Sequence, residues 1–429
     1  MKDHERHPPF VITRGEGVYL YDDKGNKYID AVSSWWVNIH GHSHPRLNRA
    51  LREQADALEQ VIFSGFTHAP GVELAERLVK ILPKNIKKIF YSDDGSTAVE
   101  VALKMALQYW RHKGRPEKTK FASLENGYHG DTVGAMSVGG VELFHETFRP
   151  LLFETRRAAS PYGYRCPLGK ECSPCDAECI SSLENILREH HKETAAFIVE
   201  PLIQAAGGMI VYPEEYLQKA AGLCKRYEVL LICDEVMTGF GRTGEMFASE
   251  RAGILPDMMC LSKGLTAGYL PMAATAVTEE IYGAFYDDYE TLKTFFHGHS
   301  FTGNPLAAAV GVESLKIFEE ENVLERNKPL QEILRDGFES FRDLPCVGDA
   351  RTLGMVGAVE LVKNKKTKEP FDYRERVGLP IYEGGLREGV ILRPLGNVVY
   401  VMPPYVIKQE ELKHVIEVLG RLLRGFSVS

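Results

Sequence analysis

Between about residue 85 and residue 275 the chain alternates short apolar runs with stretches of helical periodicity, a pattern that admits few folds. The runs are IKKIFYS (86–92), KFASLE (120–125), AAFIVEP (195–201), VLLICDE (229–235), DMMCLSK (257–263) and AATAVT (273–278). Helix-period segments such as TAVEVALKMALQYW and EEYLQKAAGLCKRY lie between them. Strands alternating with helices predict an α/β sheet, mostly parallel and covered on both faces. Ligands collect at the carboxyl ends of such strands. Asp234 and Lys263 both fall there.

From about residue 310 the pattern changes to amphipathic helices, the segments GMVGAVELV and REGVILRPLGNVVYVMPP, and a last helix from about Gln409. This reads as a smaller α+β domain. Near the start, GVYLYDDKGNKYIDAVS predicts a hairpin with Asp23-Lys24-Gly25-Asn26 at its turn, packed with the C-terminal part. The expected division is an N-terminal segment of the small domain (1–50), a large domain (51–310) and a C-terminal small domain (311–429). A length of 429 residues accommodates that many units.

A net charge of -8 argues against nucleic acid or an anionic membrane as partner, so any acidic substrate needs a local arginine. No apolar run approaches the roughly 18 residues of a membrane span, and MKDHERHPPF lacks the apolar core of a secretory signal. A cytoplasmic protein is expected. Eight cysteines in such a chain suggest reduced thiols. Cys166, Cys172, Cys175 and Cys179 have a spacing that could hold zinc or an iron–sulfur cluster, or could belong to an inert surface insertion. No histidine sits at finger spacing, and no metal is expected.

The stretch YSDDGSTAVEVALKMALQYW has apolar residues at 98, 101, 102, 105, 106 and 109, one face of a helix. Thr97 and Glu100 predict a capping box, which puts Gly95 and Ser96 just before the free N–H groups of the first turn. Such a place suits a phosphate, although on this stretch alone a plain strand–turn–helix joint is the simpler reading. Lys263 is either an exposed turn lysine or an amine held in a site. Asp234, 29 positions earlier at another strand end, favours the site. An amine, a carboxylate and a phosphate-shaped helix start together fit pyridoxal 5'-phosphate. Its aldehyde condenses with lysine, and its ring nitrogen needs an anion.

The sequence resembles the class III, fold-type-I aminotransferases across nearly its whole length. The resemblance rests on YSDDGSTAVEVALKMA, ENGYHGDTVGAMSV, VEPLIQAAGGM, LLICDEVMTGFGRTG, PDMMCLSKGLTAGYLP and HGHSFTGNPLA. It implies a large domain with a mostly parallel seven-stranded sheet and a small domain from both chain ends. It puts the family's aspartate on Asp234, its Schiff-base lysine on Lys263 and the aromatic ring over the cofactor on Tyr128. Gly95, Ser96, His299 and Ser300 complete the implied cofactor set, Ser300 reaching the phosphate of a partner subunit in a homodimer.

Three stretches, SSWWVNIHGHSHP, GYHGDT and ILRPLGNVVYVMPP, are similar to the 7,8-diaminopelargonic acid aminotransferases of biotin synthesis. Their acceptor, 8-amino-7-oxononanoate, is an aliphatic chain ending in carboxylate, which needs an apolar aromatic-walled channel and one positive anchor. The resemblance assigns the wall to Trp35 and Tyr128, the anchor to Arg393, and further substrate contacts to Gly298 and Lys263. On residues alone, the paired tryptophans could be core and Arg393 a surface ion pair. The family's Trp-x-Pro-(Tyr/Phe)-Thr segment, whose aromatic residue lines the substrate pocket, has no counterpart in MKDHERHPPF. Asp94 replaces the usual serine before Gly-Ser. His299 stands where the enzymes using S-adenosyl-L-methionine as donor have proline, and FFHGHSFTGNP is closer to the Bacillus-type enzymes that use L-lysine. Both donors stay open, as does a related class III activity on ornithine, 4-aminobutyrate or another ω-amine.

Overall fold

A computed structural model describes residues 2–170 and 175–426. The chain divides into a larger unit, Ala50–Leu324, and a smaller one formed by Met1–Arg49 and Glu325–Ser429.

The larger unit is built on seven strands: β1 (Ile86–Ser92), β2 (Lys120–Leu124), β3 (Thr155–Ala158), β4 (Thr194–Val199), β5 (Leu230–Asp234), β6 (Met258–Leu261) and β7 (Ala273–Thr278). Their order is β1-β7-β6-β5-β4-β2-β3. Only β7 runs antiparallel to its neighbours. The six apolar runs of the sequence are six of these strands. The seventh, β3, is TRRA, where two arginines break the apolar signal.

Helices of the same unit include α1 (Ala69–Ile81), α2 (Gly95–His112), α3 (Val133–Val138) and α4 (Pro305–Glu320). On α2 the expected apolar face, from Ala98 to Tyr109, is buried against Ile198, Ile232, Met258 and Cys260 of the sheet. The cap differs from the expectation. Asp94, not Thr97, is the N-cap: its carboxylate accepts from Thr97 N at 3.0 Å, and Thr97 Oγ1 accepts from Asp94 N at 2.9 Å. An Asp cap contributes about 1 kcal/mol, so the residue that replaces serine here secures the helix start. Glu100, freed from capping, accepts from Gly134 N at 2.7 Å and ties the start of α3 to α2. Helix α4 belongs with the larger unit because it packs on α1, where a Cβ on Gly311 would stand 3.2 Å from Leu74.

In the smaller unit, Ile12–Glu16, Tyr19–Asp22 and Lys27–Asp30 form an antiparallel meander. Asp22 ties its second turn by accepting from Lys24 N at 3.0 Å and Asn26 N at 2.8 Å. Lys27–Asp30 then pairs in parallel with Val390–Ile391, so the two chain ends share one sheet. A second sheet joins Val347–Leu353, Val356–Asn364 and Val398–Val401. Among the described residues no helix is long and apolar enough to cross a membrane.

Candidate active site

In the larger unit, the carboxyl ends of β2, β4, β5 and β6 and the start of α2 supply one group of side chains. Strands β5 and β6 are parallel neighbours in register Asp234↔Cys260, so Asp234 and Lys263 leave adjacent strand tips. Asp234 is buried, its Oδ2 2.7 Å from His129 Nδ1 and its Oδ1 accepting from Val236 N at 3.1 Å. A carboxylate has about four lone-pair positions, so these two bonds leave it capacity for another donor.

The next residue points elsewhere. Glu235 is buried and accepts from Thr238 Oγ1, Ala248 N and Ser249 N at 2.5, 3.1 and 2.7 Å. Successive side chains at a strand end face opposite sides. The sequence's two carboxylates therefore divide: Glu235 ties a loop down, and Asp234 faces His129.

Lys263 opens a short 3-10 turn with φ +47°, an uncommon backbone for a residue with a Cβ. It is only partly exposed. Burial pulls its pKa down to about 8, with the charges of Asp234 and Glu200 opposing and buried Arg242 assisting. The lysine and both carboxylates thus lie within electrostatic reach of one another. Glu200, just past β4, accepts from Tyr128 N at 2.8 Å and Ala205 N at 2.9 Å. Burial raises its carboxyl pKa to about 7, with His129 opposing that rise and Asp234 adding to it.

Two glycines show how closely the backbones converge. A Cβ on Gly130, whose φ is +124°, would stand 2.0 Å from Ser96 Oγ, and one on Gly95 would stand 2.7 Å from Val236. The 128–131 loop, the start of α2 and the residues after Asp234 therefore share one confined space. Tyr128 is half-buried there, its hydroxyl donating to Asp131 at 2.8 Å and its ring set edge-on to Phe144. His299 Nδ1 lies 2.8 Å from Asp93, beside that helix start. Gly298 and Ser300 lie on an exposed stretch, where the Ser300 carbonyl accepts from Gln60 at 2.8 Å.

Trp35 and Arg393 belong to the smaller unit. They meet because Lys27–Asp30 and Val390–Ile391 run parallel in register Ile391↔Asp30, and each residue follows just past its strand. The Arg393 guanidinium lies 3.8 Å above the Trp35 ring. Its charge also acts on the buried Tyr400 hydroxyl, opposing the rise that burial gives that group's pKa. The indole face is largely exposed, and there a cation–π contact is worth roughly 0.5–1 kcal/mol.

The tryptophans divide as the carboxylates do. Trp36 is buried and donates its indole N–H to Tyr400 at 2.9 Å, whereas Trp35 is 56% exposed. Ser33, Ser34, Trp35 and Trp36 all have positive φ, between 44° and 73°. A left-handed turn of residues bearing a Cβ costs about 1–2 kcal/mol per residue.

His129, Glu200 and Arg242 escape the sequence reading. Glu200 carries the same signal as Asp234, a carboxylate ending the apolar run AAFIVEP. His129 directly follows Tyr128. Arg242 in GFGRTG has no local signal. Among the described residues no group of three or more His, Cys, Asp or Glu side chains could hold a metal ion, and Cys172 lies outside them.

The family model for "Aminotransferase class-III" matches residues 1–423. An adenosylmethionine-8-amino-7-oxononanoate aminotransferase of Geobacter sulfurreducens is 50% identical, the alignment covering 98% of this chain and 93% of that one. A crystal structure of the enzyme of that name from Methanocaldococcus jannaschii superposes with a TM-score of 0.94 at 42% identity, covering 99% and 95% of the two chains. An ω-transaminase from Pseudomonas jessenii, in complex with PMP, has a TM-score of 0.94 at 37% identity, covering 99% and 94%. The α/β sheet with its second α+β unit is thus the fold-type-I architecture, and the chain belongs to the class-III aminotransferases.

Proposed function

We propose that this aminotransferase converts 8-amino-7-oxononanoate to 7,8-diaminononanoate in biotin synthesis, with pyridoxal 5'-phosphate as cofactor and S-adenosyl-L-methionine or L-lysine as amino donor. It acts in the cytoplasm as a homodimer with shared sites. The observation that carries the cofactor reading is the pair at adjacent strand tips: a lysine whose charge burial disfavours, and a buried aspartate with hydrogen-bonding capacity left. The names borne by relatives up to 50% identical support the substrate.

The residues fit the cofactor. Space between Gly130, Ser96 and Val236 is too confined for an added Cβ, as expected of a cradle that backbone must approach closely. Lys263 would hold the aldehyde end, Asp234 the ring nitrogen, and Tyr128 the ring face. Gly95 and Ser96 would hold the phosphate at the start of α2, with His299 next to them and Ser300 supplied by the second copy. When bound, the cofactor supplies the electron sink that amine transfer needs.

The chain's own part is proton handling and orientation. With its pKa near 8, Lys263 Nζ can release and regain a proton near neutral pH, as a general base must. His129, held by Asp234, orients that carboxylate, and Glu200 fixes the Tyr128 backbone. Trp35, Gly298 and Arg393 receive the substrate, Arg393 taking the acceptor's terminal carboxylate. A ping-pong cycle, donor first and acceptor second, follows from a single amine carrier.

A second reading, transamination of another ω-amine, has its own support in the likeness to the P. jessenii ω-transaminase. A donor–acceptor panel separates the two. The proposal expects turnover of 8-amino-7-oxononanoate with S-adenosyl-L-methionine or L-lysine; turnover only with ornithine or 4-aminobutyrate and a simple keto acid would replace it.

A further inference from the structure

The left-handed turn at Ser33–Trp36 has its own backbone hydrogen bonds, Trp36 N to the Val32 carbonyl and Val37 N to the Ser33 carbonyl, both at 3.0 Å, and side chains add to them. Asp30, buried at the end of its strand, grips it from below. Its Oδ1 accepts from Val32 N at 3.3 Å and Ser34 N at 3.0 Å, and its Oδ2 accepts from Ser34 Oγ at 2.7 Å. The same Oδ2 lies 2.9 Å from His42 Nε2, and His42 Nδ1 lies 3.0 Å from Asn38 Nδ2. Asn38 itself closes the turn, donating its backbone N–H to the Ser33 carbonyl at 3.1 Å. From the other side, Ser33 Oγ donates to the Met402 carbonyl at 2.7 Å, and Trp36 is pinned by Tyr400.

The clamp therefore encircles one exposed side chain. Trp35 has little core packing of its own, so the backbone sets where its ring stands. Four consecutive positive φ values are a conformation these residues would leave if released. The ring so presented is the one Arg393 lies on.

We infer that Asp30, braced by His42, is a positioning residue: it holds the left-handed turn that sets Trp35 beneath Arg393, and so tunes binding of the carboxylate-ended acceptor without touching it. This rests on the reading of Arg393 and Trp35 as acceptor-binding residues. Strain stored in a backbone and held by surrounding groups is characteristic of functional sites.

The test compares steady-state kinetics of the cofactor-loaded wild type with Asp30→Ala, Arg393→Ala, the Asp30→Ala/Arg393→Ala pair and Asp30→Ala/Ser34→Gly. Asp30→Ala is expected to raise the KM for 8-amino-7-oxononanoate about tenfold, with kcat within about threefold and the donor's KM unchanged. Glycine accepts φ near +44° without a clamp, so Ser34→Gly in the Asp30→Ala background should recover most of that loss. A purely structural role for Asp30 elsewhere gives no such rescue. In the Arg393→Ala background, Asp30→Ala should add less than about twofold, since the two act through one contact.

An unchanged acceptor KM in folded Asp30→Ala overturns the inference. So does a loss that Ser34→Gly fails to recover, or one that falls equally on both substrates. Failure of the underlying reading looks different: Arg393→Ala would then leave the acceptor KM unaltered. Should Asp30→Ala not fold, Asp30→Asn keeps an acceptor for Ser34 N, and the same acceptor-selective rise, smaller in size, decides the matter.

Discussion

At the scale of single residues, burial and hydrogen-bond partners separate groups that the sequence sets side by side. Asp234 and Glu235 are consecutive carboxylates. One faces His129 and the other is spent on Thr238, Ala248 and Ser249. Asp234→Asn should therefore leave the fold intact and lower kcat by at least about a hundredfold, read by steady-state assay against a matched thermal melt. Near-wild-type turnover would remove Asp234 from the chemistry. Lys263 permits a test of sign. Its folded pKa, about 8, lies below the unfolded lysine value of 10.5, so between those pH values the unfolded chain binds more protons. Stability of the cofactor-free protein should rise with pH in that window relative to Lys263→Met, which has no charge to bury. Urea unfolding of both proteins at pH 8 and pH 10 measures this, and a gap that does not move in favour of wild type would mean that Lys263 is not held in a desolvated site.

At the scale of elements, periodicity revealed what burial of apolar surface dictates, and little else. Six strands and the apolar face of α2 were legible because alternation and a 3.6-residue repeat are imposed by the core. Strand β3 was not, since TRRA sits at the sheet edge and is not driven there by apolar burial. The cap of α2 was misread because both Asp94 and Thr97 are good caps; local geometry chose the aspartate. The turn at Ser33–Trp36 was illegible in principle. No glycine marks its positive φ values, and tertiary bonds from Asp30, Met402 and Tyr400 impose them. The two tryptophans should respond accordingly. Trp36→Ala, which empties a buried site, is expected to cost about 3–5 kcal/mol in chemical denaturation. Trp35→Ala should cost only the contact with Arg393, about 0.5–1 kcal/mol, and chiefly weaken the acceptor. Equal stability losses at both positions would contradict this division.

At the scale of the whole molecule, the two chain ends fold together through the parallel pairing of Lys27–Asp30 with Val390–Ile391, and the middle of the chain supplies the seven-stranded sheet. The lysine and aspartate come from the middle; Trp35 and Arg393 come from the ends. Sequence resemblance assigned these roles residue by residue, while their burial, electrostatics and partners became visible only in three dimensions. On the proposed function one amine, Lys263, acts with Asp234 on a bound pyridoxal cofactor that would carry nitrogen from donor to 8-amino-7-oxononanoate. Stepwise spectrophotometry tests it most directly: load the protein with pyridoxal 5'-phosphate, add S-adenosyl-L-methionine or L-lysine, then the acceptor, and repeat with Lys263→Ala. The wild type is expected to show a visible band that one donor bleaches and the acceptor restores, with neither change in the variant. A complete cycle in Lys263→Ala, or a wild-type band that 8-amino-7-oxononanoate cannot restore, would contradict it.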